Sequence, residues 1–232
     1  MMAKRKVVSL LSGLVLAGGM AGVTTDVLAY QGGDWIVRAG IASVDPNDDS
    51  SALNLNGTSL GGTEATVDHD EQLGITATYM IDSHLGISLL AATPFEHDIK
   101  AKGVGASSID AGSSKQLPPT LTLQFFPMDG SSAFQPYLGV GVNFTTFFDE
   151  DVDGDLESAL GAKGDLSLED SWGLAGQVGA DYLFNEHWMI SASIWYLDID
   201  TEAEFKFKNG NRVTADVDID PWVYMLGVGY KF

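Results

Sequence analysis

The sequence predicts an all-β chain, an eight-stranded antiparallel transmembrane β-barrel with long extracellular loops and short periplasmic turns. Three observations carry that prediction. Apolar residues recur at every second position in eight stretches, the period of a strand whose two faces differ. Each stretch is about 9 to 13 residues, near the ~9–11 that cross a bilayer at a tilt and longer than the ~5–6 of an average strand. The segments between them run long, short, long, short, long, short, long, which leaves both termini on the periplasmic side of an outer-membrane barrel.

Ahead of the first strand, Lys4-Arg5-Lys6 precede an uncharged, mostly apolar run from Val7 to Ala21, and Val27-Leu28-Ala29 set small residues at the third and first positions before a cut. Residues 1–29 therefore read as a secretory signal peptide that is removed, and 30–232 as the barrel. The run is short for a spanning helix of about 20 residues, and no later stretch approaches that length.

The first strand places Trp35, Val37, Ala39 and Ile41 on one face and Arg38 and Gly40 on the other. The second alternates Leu73, Ile75, Ala77, Tyr79 and Ile81 with Gly74, Thr76 and Thr78. Leu85, Ile87, Leu89 and Ala91 make the third, and Pro119, Leu121, Leu123 and Phe125 the fourth. Leu138, Val140, Val142 and Phe144 oppose Gly139, Gly141 and Asn143 in the fifth. Trp172, Leu174, Val178, Ala180, Tyr182 and Phe184 oppose Gln177, Gly179 and Asp181 in the sixth. Ile190, Ala192, Ile194 and Tyr196 form the seventh, and Trp222, Tyr224, Leu226, Val228, Tyr230 and Phe232 the eighth. Small and polar second faces suit a narrow lumen. An even, closed set of strands leaves no edge in lipid. Long connections span Asp45–Glu71, Phe95–Leu117, Asp149–Asp170 and Asp198–Asp220; short ones span Asp82–His84, Pro127–Phe134 and Asn185–His187. Trp35, Tyr182, Phe184, Trp188, Trp222, Tyr230 and Phe232 fall at strand ends, where membrane girdles sit. The closing Tyr224–Phe232 segment resembles the signal read by the barrel assembly machinery.

Several motifs then follow in order: Gly33-Asp34-Trp35-Ile36-Val37-Arg38-Ala39-Gly40, Leu89-Leu90-Ala91-Ala92-Thr93-Pro94-Phe95-Glu96-His97, Leu117-Pro118-Pro119-Thr120-Leu121, Gln135-Pro136-Tyr137-Leu138-Gly139-Val140-Gly141, Asp170-Ser171-Trp172-Gly173, Trp195-Tyr196-Leu197-Asp198-Ile199 and Asp220-Pro221-Trp222-Val223. Together they resemble the OmpW family of small outer-membrane barrels over nearly all of residues 30–232. The segments 47–66 and 149–166 carry little of the resemblance. It implies a narrow channel for small hydrophobic molecules, some of which leave sideways into the membrane.

Strand parity turns Leu90, Met189, Trp195, Leu197, Val223 and Met225 inward, near the outer ends of the strands. Eight strands enclose only enough room for side chains or one small ligand, so an aqueous, porin-like path is not expected. An apolar interior suits a hydrophobic solute, and Leu90 with Trp195 is the expected constriction. Deeper in the lumen, Arg38, Gln177, Asp181 and Lys231 are expected to form a polar network toward the periplasm. The competing expectation is a structural, adhesion or receptor barrel with a plugged lumen and working loops.

An enzyme is not expected. Nucleophilic catalysis needs an oriented base beside the nucleophile. The chain has 4 His, of which His84 and His187 fall in periplasmic turns, His69 at a loop base, and His97 beside Asp98 on a strand, where neighbours face opposite ways. The run Asp149-Glu150-Asp151-Val152-Asp153-Gly154-Asp155 resembles the start of a calcium loop. However, Leu160 stands where the closing Glu belongs, and no flanking helix is expected. Calcium at Asp149, Asp151, Asp153 and Asp155 is thus a weak expectation, and no cofactor is otherwise called for.

The chain holds 12 Lys+Arg against 32 Asp+Glu, with no Cys and 45% hydrophobic residues. Disulfides are excluded, and nucleic acid is a poor partner without clustered cations. Of the 32 acids, 26 lie in the four long connections. They make an acidic crown on the outside, suited to divalent cations that bridge lipopolysaccharide phosphates and repellent to anions. Outer-membrane lipid, lipopolysaccharide, the assembly machinery and small hydrophobic solutes are the expected partners.

Overall fold

The computed structural model describes residues 30–47, 49–104, 108–129 and 132–232; the signal peptide reading lies outside the described residues. In chain order the elements are β1 (Trp35–Asp45), β2 (Asp49–Ser50), β3 (Asn54–Leu55), β4 (Thr58–Ser59), β5 (Glu64–Val67), β6 (Asp70–Met80), β7 (Leu85–Ala92), β8 (Phe95–Lys102) and β9 (Ile109–Leu117). They continue as β10 (Thr120–Phe125), β11 (Phe134–Val152), α1 (Gly154–Leu160), β12 (Gly164–Leu168), β13 (Ser171–Leu183), β14 (Trp188–Leu197), β15 (Asp200–Phe207), β16 (Arg212–Asp218) and β17 (Trp222–Lys231).

Eight strands close the barrel. Around the wall they run β10, β7, β6, β1, β17, β14, β13 and β11, and β11 pairs back onto β10 through Thr120–Asn143 to Phe125–Leu138. Each pairing in the wall is antiparallel. Closure gives every wall strand two neighbours, so the backbone is satisfied inside lipid. The outward face is Ile41, Leu73, Leu89, Leu121, Val140, Leu174, Ile190, Leu226 and their like, all exposed, as an apolar band about 25 Å tall requires.

Aromatics ring both ends of that band. On the periplasmic side Trp35 tilts against Tyr79 at 5.2 Å, and Tyr230 meets Trp188 edge-on at 5.0 Å and Phe232 at 4.7 Å; Tyr182 and Phe184 are exposed nearby. On the outer side Tyr196 lies 5.3 Å from Trp222, and Phe144 4.6 Å from Trp172.

The long connections are not loops. Just above the outer aromatics the wall strands break for two or three residues and resume. Breaks fall at Asp68-His69, Thr93-Pro94, Pro118-Pro119, Glu169-Asp170, Asp198-Ile199 and Ile219-Asp220-Pro221; β11 alone among these climbs unbroken over its 19 residues. The continuations build two flaps. One is β11, β9, β8 and β5, and the other β12, β15, β16, β3 and β4, with β2 on β16. The physical signal was the same alternation that marks the wall. In β8, Phe95, His97, Ile99 and Ala101 are buried between exposed Glu96, Asp98 and Lys102. In β15 and β16, Thr201, Ala203, Phe205, Phe207, Val213, Ala215 and Val217 are buried between charged or polar neighbours. The acids of the crown therefore stand on the outer faces of two sheets whose inner faces pack together. A few pair with the cations there: Lys115 with Asp149 at 3.1 Å, Lys102 with Glu64 at 3.3 Å, and Arg212 with Glu204.

A second expectation fails beside Asp153. A helix, α1, follows it: the Asp153 carboxylate caps the helix by accepting from the Asp155 amide at 2.8 Å, and Gly161 closes it at φ 70°. A side-chain acceptor at the N-cap followed by Gly at the exit is enough to hold one turn or two.

Candidate functional site

The inner face of the barrel is stacked in layers. At the periplasmic end Tyr30, Ile36, Met80, Phe126, Tyr137, Leu183 and Met189 form one closed apolar cluster. Tyr30 meets Phe126 edge-on at 5.1 Å, and Phe126 tilts onto Tyr137 at the same distance. Tyr137 also lies flat over the lane left by Gly179, its direct partner across the β11–β13 pair, where a Cβ would come within 2.5 Å of the ring.

Above this plug sits a polar layer. Arg38 from β1 reaches Asp181 of β13, with Nη2 to Oδ2 at 2.6 Å and Nε to Oδ1 at 3.0 Å. Its Nη1 donates to Thr78 at 2.8 Å, and Tyr30 donates its hydroxyl to Asp181 at 2.6 Å. Thr78 donates onward to Ser88 at 2.9 Å, and Gln124 donates to Gln177 at 2.8 Å. Both charges are essentially without solvent contact, at 2% and 0% exposure. A buried pair survives only with such a complete set of partners.

The third layer is apolar again and runs out of the membrane. Leu90, Trp195, Leu197, Val223 and Met225 belong to one continuous cluster with Phe95, Ile99, Ala203, Phe205, Phe207, Val213, Val217 and Ile219 of the two flaps. The Thr76 hydroxyl, opposite Leu90 in register, is buried there without a hydrogen-bond partner among the described residues. A cavity of about 30 Å3 lies between the flaps, lined among others by Val67, His97, Ile99, Gln116, Phe147 and Val217. That is room for one water molecule and not for a solute.

All seven residues expected to line the lumen, Arg38, Leu90, Gln177, Met189, Trp195, Leu197 and Met225, are buried on inward faces. They do not form one group. Met189 is the second residue of β14, just after a periplasmic turn, so it joins the plug instead of the outer apolar layer. Gln177 enters the polar layer through Gln124. Lys231 lies at the periplasmic rim, 3.9 Å from Asp34. The plug itself escaped the sequence reading, although parity already turned Ile36 and Met80 to the same side as Arg38 and Thr78.

The other polar candidates are placed as follows. His97 is buried and Asp98 exposed, on opposite faces of β8. His84 bonds Ser83 in one turn, and His187 stacks on Tyr230 beside another; His69 is exposed in a break. Asp149 pairs with Lys115, and Asp153 is spent on its cap. Among the described residues, the carboxylates whose oxygens converge within 4.8 Å are instead Asp198, Asp200 and Asp220.

The model of the OmpW family matches residues 31–232. Outer membrane protein W of Vibrio cholerae is 46% identical over 207 residues, covering 89% of this chain and 92% of that protein. Outer membrane protein W of Escherichia coli is 45% identical, covering 88% and 91%. The crystal structure of outer membrane protein OprG from Pseudomonas aeruginosa superposes with a TM-score of 0.84 at 50% identity, covering 89% of this chain and 99% of that one. These relatives are named as outer-membrane proteins and not as enzymes.

Proposed function

This chain belongs to the OmpW family of outer-membrane barrels, and from that premise we propose that it passes small hydrophobic molecules inward without an energy source. The observation that carries the reading is the continuous apolar cluster from the flap interior down to Leu90 and Trp195. A structural barrel has no need to extend its apolar interior beyond the membrane, whereas a molecule leaving water for lipid gains from such a lining. The Arg38–Asp181 layer and the plug beneath it oppose straight transit of an apolar solute into the periplasm, since such a solute offers those buried groups no hydrogen bonds. The favoured path therefore turns sideways into the membrane above the polar layer, near the strand breaks at Thr93-Pro94 and Pro118-Pro119. Outside, the acidic flap faces suit divalent cations bridging lipopolysaccharide, and the last strand suits the assembly machinery.

One observation favours a structural or receptor barrel instead: the lower lumen is fully packed. Uptake separates the two readings. In vesicles with a lipopolysaccharide outer leaflet, the wild-type chain should admit an apolar fluorophore faster than empty vesicles and leave sugars excluded. Leu90→Ala and Trp195→Ala should each speed the apolar probe several-fold. Wild-type uptake no faster than that of empty vesicles would sink the channel reading.

A further inference from the structure

His97 and Gln116 stand in the wall of a mainly apolar cavity, and the Gln116 amide oxygen there has no hydrogen-bond partner among the described residues. The His97 ring sits on the inner face of β8, with Nδ1 at 2.6 Å from the Asp68 carbonyl oxygen. A carbonyl only accepts, so Nδ1 carries the proton, and in the neutral ring Nε2 is then an acceptor. Gln116 of β9 lies 2.9 Å from that Nε2 through its own Nε2, so the amide must donate there. Its orientation is thereby fixed, and the oxygen is turned away from the ring. Gln116 is 1% exposed, and its Oε1 has no partner among the described residues. Both side chains line the cavity between the flaps, just above the break that leads to Leu90.

A buried acceptor left unmatched costs about 1–3 kcal/mol. Any occupant that donates to it regains part of that cost; an occupant without a donor does not. We propose that Gln116, held by His97, is the polar recognition point of the outer chamber. Its Oε1 accepts a hydrogen bond from the hydroxyl or amine of an otherwise apolar solute, so donor-bearing apolar molecules pass ahead of bare hydrocarbons and ethers. This rests on the channel reading above. Admission requires the flaps to part, because the closed cavity holds no more than a water.

The test compares 1-octanol with octyl methyl ether, which is of similar size and apolar length but has no donor. Uptake is measured into vesicles with a lipopolysaccharide outer leaflet, each rate taken relative to empty vesicles. The wild-type chain should favour the alcohol about five-fold, the worth of one net neutral hydrogen bond. Replacing Gln116 alone would free His97 Nε2 as a substitute acceptor, so the informative variant is His97→Leu/Gln116→Met. It should lose the preference while still passing the ether. Equal relative rates in the wild type, both above empty vesicles, overturn the inference, assign the acceptor to a bound water and leave the channel reading intact. A preference that persists in the double variant also overturns it. Should the double variant fail to fold, the wild-type comparison decides alone. If neither solute outpaces empty vesicles, the channel reading falls and takes this inference with it.

Discussion

Arg38 and Asp181, 143 residues apart in sequence, meet inside the barrel at 2.6 Å and tie β1 to β13 across the lumen. Neither charge reaches solvent, so each depends on the other. Arg38→Met or Asp181→Leu alone should destabilise the folded barrel by about 3–5 kcal/mol, because each leaves a buried charge unpaired. The double variant should recover a large part of that loss. Urea unfolding in micelles, followed by tryptophan fluorescence, gives all four corners of the cycle. Full additivity of the two single losses would show that the pair is not coupled.

Gly179 gives Tyr137 its place, and the fit is close enough to predict. A methyl at 179 meets the Tyr137 ring within 2.5 Å on a stiff strand. Gly179→Ala should cost about 1–3 kcal/mol as overpacking, and adding Tyr137→Leu should return some of it. An unchanged unfolding midpoint for Gly179→Ala would mean that the ring moves aside freely.

His97 predicts a pH dependence confined to the flaps. Burial of the ring pushes its pKa below the ordinary imidazole value, and this outweighs the Asp68 carbonyl and the charges of Asp70, Asp68 and Asp98, which raise it. The unfolded ring binds a proton near pH 6.5; the folded one binds it only at lower pH. The folded state thus keeps its full stability above about pH 6.5 and loses it as pH falls from there toward the folded value. Amide exchange in β8 and β9 should speed up between pH 7.5 and pH 5.5 while exchange in β14 and β17 holds steady after correction for intrinsic rates. His97→Asn should remove the effect, and a slope that survives it would assign the titration to another group.

Asp153 offers a local test of the helix that the sequence did not announce. Asp153→Ala removes the acceptor for the Asp155 amide and should cost about 1 kcal/mol of local stability. It should be visible as faster exchange through Gly154–Leu160 with no change in the barrel. Asp153→Asn, which keeps an acceptor, should be near neutral.

The wall of the barrel was legible because lipid demands strict alternation: Leu73 to Ile81 and Trp222 to Phe232 can be read almost residue by residue. The inward residues follow from the same parity, so Arg38, Leu90, Trp195 and Met225 could be placed from sequence. Height along the barrel axis is harder to read, because parity gives a face and not a level. Met189 was therefore grouped with Trp195, although they stand in different layers. The flaps were hidden for another reason. Phe205, Phe207, Val213 and Val217 alternate as cleanly as any wall strand, but charged partners beside them imitate a solvated loop. The Gln116 acceptor could not have been read at all, since it depends on which atom of His97 meets the Asp68 carbonyl.

The breaks at the mouth weaken, without severing, the backbone link between wall and flaps. The regular ladders thin at Asp68-His69, Thr93-Pro94, Pro118-Pro119, Asp198-Ile199 and Ile219-Asp220-Pro221 to single backbone bonds such as Thr93 to Leu73, Asp198 to Leu174 and Ile219 to Ile199, and three of these interruptions carry proline, which has no amide to donate. The flap of β12, β15, β16, β3 and β4, a sheet separate from the wall, can then loosen while the wall stays intact, whereas unbroken β11 holds the other flap to the barrel. Heating should therefore loosen that separate flap before the wall. A part facing the outside world comes apart first, and the seal of the membrane outlives it.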